Sequence, residues 1–123
     1  MECRDDNNTF QRLTVHHPEK LQFYSCDTPN GMKVACALEE LQIPYEPHAL
    51  DIRTKRESRL MLPFLSINPN GKIPALVDGH GDEGKVTIFE SGACLMYIAE
   101  KYGTSLLPTH GPLRYDVLKW LFW

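Results

Sequence analysis

The 123-residue sequence predicts an α/β fold around a mixed four-stranded sheet, and three observations carry that expectation. Four short segments, residues 21–25, 45–50, 73–77 and 86–89, have strand-type apolar runs bounded by turn or loop residues. Two longer stretches, residues 28–43 and 91–102, repeat apolar side chains at helical spacing. Proline, glycine and asparagine cluster at the junctions, as turns and caps require.

Each element follows in order. Residues 1–19 are polar and without period, and they read as a flexible leader. Leu21-Gln22-Phe23-Tyr24-Ser25 alternates apolar and polar positions as a short strand does. Thr28-Pro29-Asn30-Gly31 then opens a helix, with Thr28 as N-cap and Pro29 at the first helical position. Val34, Ala35, Leu38 and Leu41 continue it, and Pro44 is expected to stop it by pushing Ile43 out of the α region. A strand over 45–50 and a charged loop over 51–57 precede a short, irregular helix within 58–67, started or interrupted by Pro63. Asn68-Pro69-Asn70-Gly71 is a turn by composition. Residues 73–77 form a strand with Pro74 at its start, residues 78–85 a hairpin loop rich in glycine, and residues 86–89 the returning strand. Ser91 opens a helix that ends at Gly103, and its run from Ala93 to Ala99 is apolar enough to need cover on two faces. The order β-α-β-α-β-β-α is the thioredoxin-like pattern.

Residues 105–123 read as a linker and a further helix from Pro112, carrying Leu113, Val117, Leu118, Trp120, Leu121, Phe122 and Trp123. That apolar pattern runs to the last residue without a cap. It is expected to be the first helix of a truncated all-α domain, making the chain a fragment; the alternative is that the aromatics fold back onto the sheet. The domain boundaries are thus 1–19, 20–104 and 105–123.

Composition narrows the function. Thirteen basic against sixteen acidic residues give a net charge of −3, which argues against nucleic acid or an anionic membrane held by bulk charge. No window approaches a membrane-spanning length, and the N-terminus lacks a secretory signal, so a cytoplasmic location is expected. Cys3, Cys26, Cys36 and Cys94 have no C-x-x-C spacing and read as free thiols. The five histidines have no ligand spacing, and no metal is expected.

Four features bear on chemistry. Thr28-Pro29-Asn30-Gly31 lies at a strand-to-helix junction, where unpaired N–H groups and a partial positive charge favour an anion such as a thiolate. Thr28 and Asn30 add hydroxyl and amide donors there, although taken alone a plain helix cap is the stronger reading. Pro74, if cis, would turn the backbone of Ile73 toward an extended peptide-like ligand; the plain reading is a proline at a strand start. Glu90-Ser91 offers a carboxylate for an ammonium group and a hydroxyl with free N–H groups for a carboxylate, or again a cap. Lys72 and the run Arg53, Lys55, Arg56, Arg59 supply cations, the latter reading more simply as a solvated face.

Together, Thr28-Pro29-Asn30-Gly31, Asn68-Pro69-Asn70-Gly71-Lys72-Ile73-Pro74-Ala75-Leu76 and Phe89-Glu90-Ser91-Gly92-Ala93 resemble the glutathione-binding half of the glutathione transferase family. They look most like the nu-class transferases and the related fungal nitrogen-regulator prion protein. Trp120-Leu121-Phe122-Trp123 resembles the first helix of that group's C-terminal domain. The resemblance implies glutathione as co-substrate, with an electrophile or a disulfide as second substrate, and a homodimer at full length. Thr28 and Asn30 would then be catalytic, donating to the glutathione sulfur. The Ile73 backbone before a cis-Pro74 would pair with the cysteinyl part, Glu90 and Ser91 would hold the γ-glutamyl end, and Lys72 and Arg59 would reach the glycine carboxylate. The truncated chain itself would be short of the second substrate's pocket.

Two other functions stay open from the sequence. Domains of this kind also serve as non-catalytic regulatory or assembly modules. A glutaredoxin-type protein would use its own thiol, and Cys26 lies two residues before the expected position for one.

Overall fold

The computed structural model describes residues 13–52, 62–103 and 105–123. Its elements are β1 (Leu21–Ser25), α1 (Pro29–Glu40), β2 (Tyr45–Ala49), α2 (Leu62–Leu65), β3 (Ala75–Gly81), β4 (Gly84–Phe89), α3 (Ser91–Tyr102) and α4 (Pro112–Phe122). The sheet runs β2-β1-β3-β4, with β1 and β2 parallel and the other neighbours antiparallel. This is the mixed, thioredoxin-like sheet that the element order predicts.

The period-two alternation of the central strands divides the core between two faces. On one face Leu21 and Phe23 of β1 and Leu76 of β3 pack against Val34 and Leu38 of α1 and Cys94 and Ile98 of α3. On the other, Tyr24, Ala75 and Val77 pack against Phe64 of α2. β1 is covered on both sides, so even its polar positions are buried and need partners. Gln22 finds them: Nε2 donates to the carbonyls of His17 and Lys20 at 2.8 Å each, and Oε1 pairs with His48 Nε2 at 2.7 Å. Pro47 sits in β2, a sheet edge, where a missing N–H costs nothing in the ladder.

Several expectations change. Helix α1 ends at Glu40, before Pro44 acts. Gln42 adopts φ 53°, its N–H donates to the Glu39 carbonyl at 3.0 Å, and the Ile43 N–H donates to Leu38 at 2.9 Å. Those two bonds close the helix in a Schellman motif, with buried Leu38 and Ile43 as its apolar pair. The loop expected over 78–85 is mostly strand: β3 reaches Gly81, β4 starts at Gly84, and only Asp82 and Glu83 turn between them. A register shift between Asp78 and Gly81 absorbs the glycine-rich sequence that looked like a loop. The strand expected from residue 73 begins at Ala75, after the proline. The leader is fastened along its last part. Leu13 packs beside the Phe64 cluster, and the amides of His16 and His17 donate to the Glu46 carboxylate at 2.9 and 2.7 Å. Burial pushes that carboxyl up, but the two amides prevail and hold it below its ordinary value.

Asp78 joins the β-hairpin to the end of α3. Its Oδ2 accepts from Lys101 Nζ and Tyr97 OH at 2.7 Å and from Tyr102 OH at 2.9 Å, while Oδ1 accepts from the His80 N–H at 2.8 Å. Burial again pushes the carboxyl up, and the ammonium, phenols and amide more than reverse it. Helix α4 lies along α3 rather than on the sheet. Arg114 bonds to Glu100 Oε1 at 2.7 Å, and Val117 and Leu121 face Leu95, Met96 and Ala99 across an apolar groove. No residue of α4 is buried.

Candidate functional site

Three chain segments meet at one edge of the sheet. At the start of α1, Thr28 is the N-cap and its Oγ1 accepts from the Gly31 N–H at 3.3 Å. The hydroxyl hydrogen is left to donate elsewhere, so the cap and a ligand contact are compatible. Gly31 is needed by close approach: a Cβ there would collide with Ser25 Oγ and the Cys26 carbonyl at the end of β1. That contact seats the helix N-terminus, with Asn30 exposed on it, against the strand end.

The second segment is the turn before β3. Gly71 has φ 60°, and the bond between Ile73 and Pro74 is cis, as the peptide-binding expectation requires. The cis bond turns the chain at Ile73 just before pairing with β1 begins at Ala75. Among the described residues no backbone group pairs with the Ile73 N–H or carbonyl. The third segment is the start of α3. Glu90 is its N-cap at φ 73° and ψ 121°, with no side-chain cap bond, so the first N–H groups of the helix and the Ser91 hydroxyl remain available.

These segments surround an open cleft lined by Asn30, Asn68, Lys72, Ile73, Pro74, Glu90 and Ser91. Two helix N-termini and the Lys72 ammonium bring positive potential to it, and Glu90 is the carboxylate in its wall. The arrangement suits an elongated ligand with carboxylates at its ends, an ammonium group and a peptide backbone between. Six residues expected from the sequence therefore meet in one cleft. Thr28 stands beside it at the N-cap without lining it, and Arg59, with Arg53, Lys55 and Arg56, lies outside the described residues.

Asn68 is a wall residue that sequence reasoning took only for a turn former. It is 2% exposed, its Nδ2 donates to the Lys72 carbonyl at 2.7 Å, and its Oδ1 accepts from the Asn70 N–H at 3.0 Å. The available signal was its place at the head of Asn-Pro-Asn-Gly, where an Asx turn forms. The cysteines need a correction too. Cys36 and Cys94 are free, as expected, but Cys26 is disulfide-bonded. Spacing alone does not show which distant thiols a fold brings together. Cys26 thus offers no thiol to a glutaredoxin-type mechanism, and burial pushes the Cys94 thiol up to about 12, leaving it inert at neutral pH. Among the described residues no group of three or more His, Cys, Asp or Glu side chains could hold a metal ion.

The family model of the glutathione S-transferase N-terminal domain matches residues 19–100. The chain belongs to that family. Among its glutathione transferase relatives, the disulfide-bond oxidoreductase YghU of Escherichia coli is 43% identical over 111 residues, covering 87% of this chain and 37% of that protein. A Pseudomonas fluorescens family member, solved with two glutathione bound, superposes with a TM-score of 0.84 at 40% identity, over 93% of this chain and 49% of the other. A Pseudomonas putida glutathione transferase, solved with one glutathione disulfide per subunit, gives 0.83 at 41% identity, again over 93% and 49%. The chain spans less than half the length of curated relatives that it matches.

Proposed function

We propose that this chain binds glutathione in the cleft and stabilises its thiolate, as the glutathione-binding part of a transferase or disulfide-bond oxidoreductase. The observation that carries the reading is the cleft itself: two helix N-termini, that of α3 without a side-chain cap, an Ile73 N–H and carbonyl with no backbone partner among the described residues before a cis proline, and one ammonium and one carboxylate in the wall. In this reading Ser91 and the α3 N-terminus take the γ-glutamyl carboxylate, and Glu90 takes its ammonium group. The Ile73 backbone pairs with the cysteinyl residue, and Lys72, with Arg59, takes the glycine carboxylate.

Asn30 and Thr28 then face the sulfur as donors. A free thiol titrates near 8.5, and a shift of one unit corresponds to about 1.4 kcal/mol, within reach of two hydrogen bonds and a helix terminus. The ionised sulfur attacks an electrophilic carbon to form a C–S bond, either expelling a leaving group with its bonding pair or adding to an activated C=C whose carbanion then takes a proton from water. Alternatively it attacks a disulfide, forming a mixed disulfide and expelling the other sulfur as thiolate. Residues 20–104 are the glutathione-binding domain in this proposal, and residues 105–123 a linker and the first helix of an all-α unit. A homodimer of the whole protein and a cytoplasmic setting belong to the same proposal. No helix among the described residues is long and apolar enough to cross a membrane.

Calorimetric titration of the chain with glutathione tests the site. Ser91→Ala removes one donor to a charged group and is expected to weaken binding about tenfold. Unchanged affinity would remove Ser91 and the α3 terminus from the site.

A further inference from the structure

We infer that Asn68 is a positioning residue for peptide-ligand binding, acting through the plane of the Lys72–Ile73 peptide; this rests on the glutathione reading above. In a trans peptide the C=O and N–H lie in one rigid plane and point in opposite directions. The Lys72–Ile73 bond is trans, since the cis bond of this turn is the next one. Asn68 Nδ2 holds the Lys72 carbonyl at 2.7 Å from inside the turn. The Ile73 N–H of the same plane therefore points away from the Asn68 amide and has no backbone partner among the described residues, and Ile73 and Asn68 both line the cleft. Pinning one end of the plane aims the other.

The Asn68 amide is itself held from several directions. Its Oδ1 accepts from the Asn70 N–H at 3.0 Å and Asn70 Nδ2 at 3.1 Å, which decides that Nδ2 faces Lys72. Its own N–H donates to the Phe64 carbonyl at 2.8 Å, and its carbonyl accepts from the Gly71 N–H at 2.9 Å. Phe64 is fully buried, so the clamp is anchored in the core beneath the sheet. A hydrogen bond to a peptide carbonyl also polarises that peptide, making its N–H a stronger donor. Asn68 thus gives the ligand a donor that is aimed and strengthened before binding, without touching the ligand backbone itself.

The test compares two ligands on three proteins by calorimetry. The ligands are glutathione and a glutathione analogue whose cysteinyl–glycine peptide is replaced by a trans-alkene, which keeps the shape and lacks the carbonyl acceptor. Asn68→Asp keeps size and shape but, when ionised, has no hydrogen to give the Lys72 carbonyl. It is expected to weaken glutathione binding about tenfold near pH 8 and to change analogue binding less than about twofold. Protonation restores a donor, so the loss should shrink as pH falls toward the ordinary Asp value of about 4. Asn68→Ser, too short to span the 2.7 Å bond and uncharged, should show the same selective loss without the pH relief. Equal losses for both ligands, with no pH dependence in Asn68→Asp, would make Asn68 a loop-stability residue and overturn the inference. Wild-type chain that binds neither ligand would instead overturn the glutathione reading.

Discussion

Glu90 stands in a backbone region that side-chain-bearing residues seldom occupy, φ 73°, and it makes no cap bond in return. Holding a non-glycine residue at positive φ costs about 1–3 kcal/mol, and such strain persists where the surrounding fold needs it for a purpose. Here it puts a carboxylate into the cleft wall next to the free N-terminus of α3. Glu90→Gly should therefore raise thermal stability by about 1 kcal/mol while sharply reducing the upward shift in melting temperature expected on adding glutathione under the proposed function. Thermal unfolding with and without glutathione reads both effects, and a variant that melts lower would show the strain argument to be wrong. The residue scale also shows what a sequence can and cannot carry. Asn30, Lys72, Ile73, Pro74, Glu90 and Ser91 were legible because each sits in a short contiguous motif at a strand or helix junction. Asn68 was not, because its work is done through a carbonyl four residues away, and a turn former at that place looks like nothing more.

Elements were legible wherever period and punctuation agreed. β1 and α3 run over the residues their patterns predict, Leu21–Ser25 and Ser91–Tyr102. The helix end at Glu40 was hidden because the left-handed closing residue is Gln42, where glycine would have signalled it. The β3–β4 hairpin was legible but the shortness of its turn was not, because two turn residues plus a bulge look like an eight-residue loop when glycine and charge are all one reads. Gln42 is exposed, and its closing bonds use only backbone. Gln42→Gly should therefore keep both bonds and relieve the positive φ, stabilising the protein by about 0.5–1 kcal/mol. Denaturant unfolding measures it, expecting a higher midpoint at unchanged slope. A lower midpoint would mean the glutamine side chain contributes more than its strained backbone costs.

For the molecule as a whole, the two cores under the sheet are closed, while α4 is not. Leu113, Tyr115, Trp120 and Phe122 are each about two-thirds or more exposed, and Trp123 is 95% exposed. Trp120 and Trp123 stack edge to face at 5.9 Å, which shields little of either ring. The same helix holds α3 through Arg114 and Glu100 and leaves an apolar groove between Leu95, Met96, Val117 and Leu121. Burying a large apolar side chain contributes roughly 1.5–3 kcal/mol, so several such groups on one short helix drive it toward any apolar surface. The chain should self-associate with rising concentration, measured by light scattering across a dilution series. Trp120→Glu combined with Phe122→Lys should reduce that association without lowering the melting temperature, since neither side chain is buried in the fold. A wild-type chain that stays monodisperse over the series would show that these aromatics are satisfied by solvent exposure alone.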